Sequence, residues 1–102
     1  MQITIKAKEL ELTEPLKVYI NDKVGGLEKF VQRVEEQGDI LAVVEVARTT
    51  KHHHKGDVFY AEVNMYLPGR KLRVQEQEYD VRVAIDNVVN RLQREIEEYK
   101  EK

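Results

Sequence analysis

Three kinds of side chain in this 102-residue sequence invite a chemical reading: a histidine run, paired carboxylates, and basic residues spread over predicted helices and turns. The run is His52, His53 and His54, bracketed by Lys51 and Lys55. Adjacent residues in a loop cannot all converge on one ion with good geometry. The sequence has no cysteine and no further histidine to complete a tetrahedral set, so no dedicated metal site is expected. The run reads instead as a basic loop whose charge rises as pH falls toward about 6.5, suited to touching a polyanion. The carboxylate pairs Glu35-Glu36, Glu76 with Glu78, and Glu97-Glu98 fall on predicted helix exteriors or turns. Nothing there signals a low-dielectric cleft that would shift a pKa for acid–base work. Serine and cysteine, the two commonest nucleophiles, are both absent. No catalysis, cofactor or small-molecule substrate is expected.

The basic residues say more. With Ile20 as the core direction of a first helix, Lys29 falls on the opposite side, Arg33 lies beside it one turn on, and Lys23 flanks both. On a last helix Arg94 stands opposite Ile85, with Arg91 beside it. Helices lying side by side would let these groups share one outward surface. Arg48, Lys51 and Lys55 add basic points in one loop, and Arg70, Lys71 and Arg73 around a Pro-Gly turn. Such an array suits a phosphate backbone, which it contacts without reading sequence. Lys and Arg on helix exteriors are also commonly solvated or paired at i,i+4. Glu95, Glu97 and Glu98 moreover sit among the arginines. Spacing alone leaves both readings open.

The elements that must position these residues follow from periodicity. From Glu78 to Lys102, Val81, Ile85, Val88, Leu92, Ile96 and Tyr99 form one apolar stripe of helical period, with Asp80 as N-cap. A helix with so wet an apolar side requires cover from upstream. Gln2 to Lys8 alternates as a half-buried strand. Thr13, with Glu14 and Pro15 behind it, opens a helix striped by Leu16, Ile20, Val24, Leu27, Val31 and Val34 and flanked by Tyr19 and Phe30. Gly25-Gly26 in its middle marks either a tolerated weak spot, costing about 1 kcal/mol per glycine relative to alanine, or a place of close approach. The pair lacks the strand-to-helix setting of a phosphate loop. Gly38 closes the helix.

Ile40 to Ala47 is apolar on both faces apart from Glu45, as expected of an interior strand. Asp57 to Leu67 alternates, with Phe59, Ala61, Val63, Met65 and Leu67 on one face and Tyr60, Glu62, Asn64 and Tyr66 on the other. After Pro68-Gly69 a short strand covers Lys71 to Gln75. The order is β-α-β-β-β-α, an α+β domain with two helices packed on one face of a four-stranded sheet and the other face bare.

Composition bounds the rest. The length fits one domain, residues 1–102, and there is no disulfide to staple it. No apolar run approaches the roughly 20 residues of a membrane span, and no signal region opens the chain. A soluble cytoplasmic protein without a membrane partner is expected. With a net charge of −2 and 35% charged residues, whole-protein charge does not announce a nucleic-acid binder.

Three stretches resemble the ribosome hibernation promoting factors, including the short form known as ribosome-associated inhibitor A. Residues 13–30 (TEPLKVYINDKVGGLEKF) are similar to that family's first helix, and residues 51–63 (KHHHKGDVFYAEV) to its His- and Lys-bearing hairpin. Asp80 to Tyr99 matches the terminal pattern through Ala84-Ile85-Asp86 and Arg91-Leu92-Gln93-Arg94. The resemblance implies a plan similar to double-stranded RNA-binding domains. It also implies binding to small-subunit rRNA near the decoding region, with translation inhibited by occupying the messenger and transfer RNA path. Lys23, Lys29, Arg91 and Arg94 match basic positions of the family's helices. Arg82, in Val81-Arg82-Val83 where the family usually has Met-Tyr-Ala, becomes a substitute contact. Glu95, Glu97 and Glu98 depart from a pattern that commonly carries Gln and Lys. The second domain of long members, which resembles a dimerisation module, is not expected here, and the protein is expected to be monomeric off the ribosome. The alternative is a protein-interaction domain that uses Tyr60 and Tyr66 on the open sheet face, or a strand edge.

Overall fold

The computed structural model describes residues 1–49 and 58–101. Its elements are β1 (Gln2–Lys8), α1 (Glu14–Gly25), α2 (Glu28–Glu35), β2 (Leu41–Thr49), β3 (Val58–Leu67), β4 (Arg70–Glu78) and α3 (Val81–Lys100). The strands form one sheet in the order β1-β2-β3-β4, β1 parallel to β2 and the other pairs antiparallel. This is the expected α+β plan, with the first helix divided in two. The histidine run and Lys51 and Lys55 lie outside the described residues.

The division falls at the glycine pair. Gly26 N–H still donates to Asp22 O at 3.1 Å, but Leu27 N–H donates to Val24 O at 3.0 Å and Phe30 N–H to Leu27 O at 2.9 Å. These three-residue steps make a tight 3₁₀ turn between the helices. The apolar stripe survives it: Leu16, Ile20, Val24, Leu27, Val31 and Val34 are all buried. Among the described residues nothing requires glycine at position 25, where an added Cβ would stand 3.8 Å from Ile3 Cδ1, an ordinary contact.

Both expected caps form. Thr13 Oγ1 accepts from Leu16 N–H at 3.3 Å, and Asp80 Oδ1 accepts from Arg82 N–H at 2.8 Å. Each contributes about 1 kcal/mol. On α3 the stripe buries Ile85, Val88, Leu92 and Ile96, with Ala84 beside them. They share one core with Ala42, Val44 and Val46 of β2, Ala61, Val63, Met65 and Leu67 of β3, and Leu72 and Val74 of β4. Each large apolar side chain fully buried in this layer contributes about 1.5–3 kcal/mol. The Met1 ammonium group pairs with Glu28 at 2.9 Å and with Glu35, holding the start of β1 against α2.

Two strands are longer than periodicity predicts. β2 continues through Arg48 and Thr49, and β4 runs from Arg70 to Glu78. Glu76 and Glu78 therefore stand on a strand, not on a turn or helix exterior. Pairing with β3 supplies the order that the polar β4 sequence does not advertise. Pro68-Gly69 makes the connecting turn, with Gly69 at φ 78°, the left-handed conformation a type II turn requires at its third position.

Candidate nucleic-acid interface

The helices bring distant basic residues together at two places. Tyr19 of α1 donates to Asp86 of α3 at 2.6 Å near the helix starts, and Lys100 Nζ donates to Phe30 O at 3.0 Å near their ends. The α1–α2 pair and α3 thus run parallel. Their C-terminal ends meet beside the β3–β4 turn, where the Gly38 Cα lies close enough to Pro68 that a Cβ would come within 3.6 Å of its ring.

At that junction lies a groove lined by Lys29, Phe30, Arg33, Arg70, Tyr99 and Lys100, and none of its lining residues is acidic. The Lys29 ammonium stands 5.4 Å from the centre of the Phe30 ring, and Tyr99 donates to Pro68 O at 2.9 Å, fixing the wall. Among the described residues no carboxylate pairs with Lys29, Arg33, Arg70 or Lys100. Arg33 and Lys100 sit in the last turns of α2 and α3, where the helix dipoles favour cations. Two helix ends offset only about one unit of charge between them, and four cations leave about three. An anion entering the groove meets that charge without displacing a carboxylate.

A second cluster stands at the other end of the interhelix crevice. Lys23 Nζ is 3.7 Å from Asp86 Oδ1 and 5.5 Å from the centre of the Tyr19 ring, and the Arg82 guanidinium lies 5.1 Å from the same ring. The hydrogen bond to Asp86 and the partial burial of Tyr19 both push its phenol above the usual tyrosine range.

The other predicted basic residues go elsewhere. Arg91 does not share the two-helix surface: it reaches across to β4, donating to Gln75 O at 3.1 Å and pairing with Glu76. Arg94, exposed and three residues further, projects from the same flank of α3, and Glu95 and Glu98 stand one turn beyond Arg91 and Arg94. Lys71 and Arg73 point to the open face of the sheet, Lys71 over the Tyr66 ring at 5.4 Å and Arg73 against Glu62. Arg48 donates to Glu9 O at 3.2 Å.

The open face is a polar network. Glu45 and Glu62 are directly opposite across β2 and β3, and Glu62 is 8% exposed. Burial opposes its ionisation, but the Tyr60 hydroxyl, 2.9 Å away, and the Arg73 guanidinium outweigh that and hold its carboxyl below the usual range. Tyr60 OH also lies 2.7 Å from Gln75 Oε1, so this tyrosine is engaged within its own sheet.

Sequence reasoning missed Lys100, Phe30 and Tyr99 as groove walls. Lys100 follows the last residue of the α3 stripe and carries no sequence signal of its own. Its place depends on where α2 ends.

The sequence pattern of the family described as sigma 54 modulation protein / S30EA ribosomal protein matches residues 3–102. A ribosome hibernation promotion factor of Picosynechococcus is 30% identical over 100% of this chain and 50% of its own length. A ribosome hibernation promoting factor of Escherichia coli is 24% identical over 100% of this chain and 96% of its own. The chain spans about half the length of some curated relatives it matches, the Picosynechococcus protein among them. In structure it is similar to the N-terminal domain of Protein Y from Thermus thermophilus, with a TM-score of 0.78, 27% identity, and coverage of 97% of this chain and 99% of that one.

Proposed function

The chain belongs to the sigma 54 modulation protein / S30EA ribosomal protein family, and we propose that it is a ribosome hibernation factor acting by binding alone. Its partner in this reading is the small ribosomal subunit, gripped through rRNA phosphates near the decoding region, and bulk in the messenger and transfer RNA path does the inhibiting. The observation that carries the reading is the groove of Lys29, Arg33, Arg70 and Lys100, a concentration of cations with no acidic lining in a chain of net charge −2. Charge of that kind contacts a phosphate backbone without reading base sequence. The names of the relatives support the ribosome as the place where such a backbone is met.

The test is co-sedimentation with separated bacterial ribosomal subunits through sucrose over a salt series. Association with the small subunit that weakens steeply with salt is expected, and Lys29→Glu with Arg33→Glu should abolish it. Absence of association at low salt, or binding indifferent to both reversals, overturns the reading.

A further inference from the structure

The two edges of the sheet, β1 and β4, are finished differently. At the β4 edge the Gln75 carbonyl points out of the sheet and accepts from Arg91 Nη1 at 3.1 Å. The same guanidinium pairs with Glu76, so α3 closes that edge at its centre. Among the described residues the β1 edge carries no such cap. Gln2 N–H donates to Ile40 O at 2.9 Å, in register with Leu41 on β2. Backbone groups along a strand alternate sides, so Gln2, Thr4, Lys6 and Lys8 bond to β2. The N–H and C=O of Ile3, Ile5 and Ala7 therefore point away from the sheet. An unpaired row of this kind is a template for another strand. It ends at Glu9, whose φ of 56° turns the chain aside and whose carbonyl accepts from Arg48.

The side chains along this row define what fits it. Ile3 and Ile5 are half-buried on the helix side, packed against the core, and Thr4, Lys6 and Lys8 stand exposed on the other face. Lys6 lies beside Glu45 on β2, and Glu45 is also opposite Glu62. Among the described residues neither Lys6 nor Lys8 forms an ion pair. Lysines on an edge discourage pairing with a second copy, which would bring more lysines to the same face. The same lysines attract an acidic strand. We propose that the β1 edge binds an extended segment of a partner protein, one that alternates apolar and acidic side chains, by main-chain pairing with Ile3, Ile5 and Ala7. The guest's apolar residues continue the row of Ile3 and Ile5, and its carboxylates lie beside Lys6 and Lys8. This surface is separate from the groove and does not rest on the ribosome reading.

The probe is a peptide of alternating glutamate and valine with the seven-residue length of β1. It is titrated into the full chain while amide hydrogen exchange is followed by nuclear magnetic resonance. In the free protein the Ile3, Ile5 and Ala7 amides should exchange freely while those of Thr4 and Lys6 are protected. Saturating peptide should protect the first three as well. Lys6→Glu with Lys8→Glu turns two attractive cross-strand pairs repulsive and should weaken binding about fourfold or more. Ala7→Pro removes one outward N–H and leaves the β1–β2 ladder intact, so it should weaken binding about two- to tenfold. A peptide N-methylated throughout, which removes the same kind of bond with the protein unaltered, should not bind. Slow exchange at Ile3, Ile5 and Ala7 in the free protein would mean that the edge is already covered, and the proposal falls. It falls equally if no saturable binding appears up to about 1 mM. Equal affinity for a peptide of alternating lysine and valine would remove the charge argument and the proposal with it. Protection of the three amides by rising protein concentration alone would make the edge a contact between copies and overturn it too.

Discussion

Replacing Gly25 with alanine separates two explanations of the glycine pair. Gly25 is the last residue of α1, it does not have positive φ, and a Cβ there would stand 3.8 Å from Ile3 Cδ1. Alanine is favoured over glycine by about 0.8–1.0 kcal/mol in a helix interior. At a helix end part of that is lost, and the new methyl recovers some of it by packing against Ile3, so a net stabilisation of about 0.5–1 kcal/mol is expected. In a domain of this size 1 kcal/mol moves Tm by about 4–8 °C, so the variant should melt roughly 2–8 °C higher. Urea unfolding followed by far-ultraviolet circular dichroism at pH 7 gives the free energy directly, with an unchanged m-value confirming that the folded state is the same. Destabilisation by about 1 kcal/mol or more would refute the geometry: the fold itself would then require glycine. A variant that gains stability but no longer co-sediments with small subunits would instead mark Gly25 as a place where the partner comes close.

Two further outcomes follow from the core and the open face. Leu92, fully buried on α3, should lose about 2–5 kcal/mol on truncation to alanine, measured by the same urea titration. Glu62 has its folded pKa depressed, so the stability it contributes is present above the ordinary glutamate value near ~4.3 and disappears as pH falls through the lower folded value. Arg73→Gln removes one of the groups that favour the charged carboxylate and leaves burial opposed by the Tyr60 and Asn64 hydrogen bonds. The Glu62 pKa then rises relative to the unaltered protein, and the variant should be less stable at pH 7 by a margin that narrows as pH falls, read by unfolding midpoints across pH 7 to 3. A stability difference between the two proteins that stays constant across that range would contradict the assigned network.

Local rules reach far along this chain. The alternation of Gln2 to Lys8 and of the strand ending at Leu67, the caps Thr13 and Asp80, and both helical stripes were legible because each depends on neighbours a few residues away. The extent of β4 was not, since Gln75, Glu76 and Gln77 are poor strand formers held in place by β3. Helical phase correctly set Lys29 and Arg94 away from the core, but phase does not say which neighbour lies on which flank. Arg91 therefore meets Glu76 at the sheet edge, while Lys29 and Arg33 meet Arg70 and Lys100.

The residues of the groove and of the Tyr19 cluster were thus mostly named by the sequence, but their grouping was not. Element order, core faces, capping and the family likeness are local or cumulative properties, written in residue type and spacing. Tyr19 finding Asp86 across 67 positions of sequence, and Lys100 closing a groove begun by Lys29, depend on the parallel packing of the α1–α2 pair against α3. Only the tertiary structure decides that, because the same apolar stripes bury equally well in several relative placements until the sheet and its connections choose one.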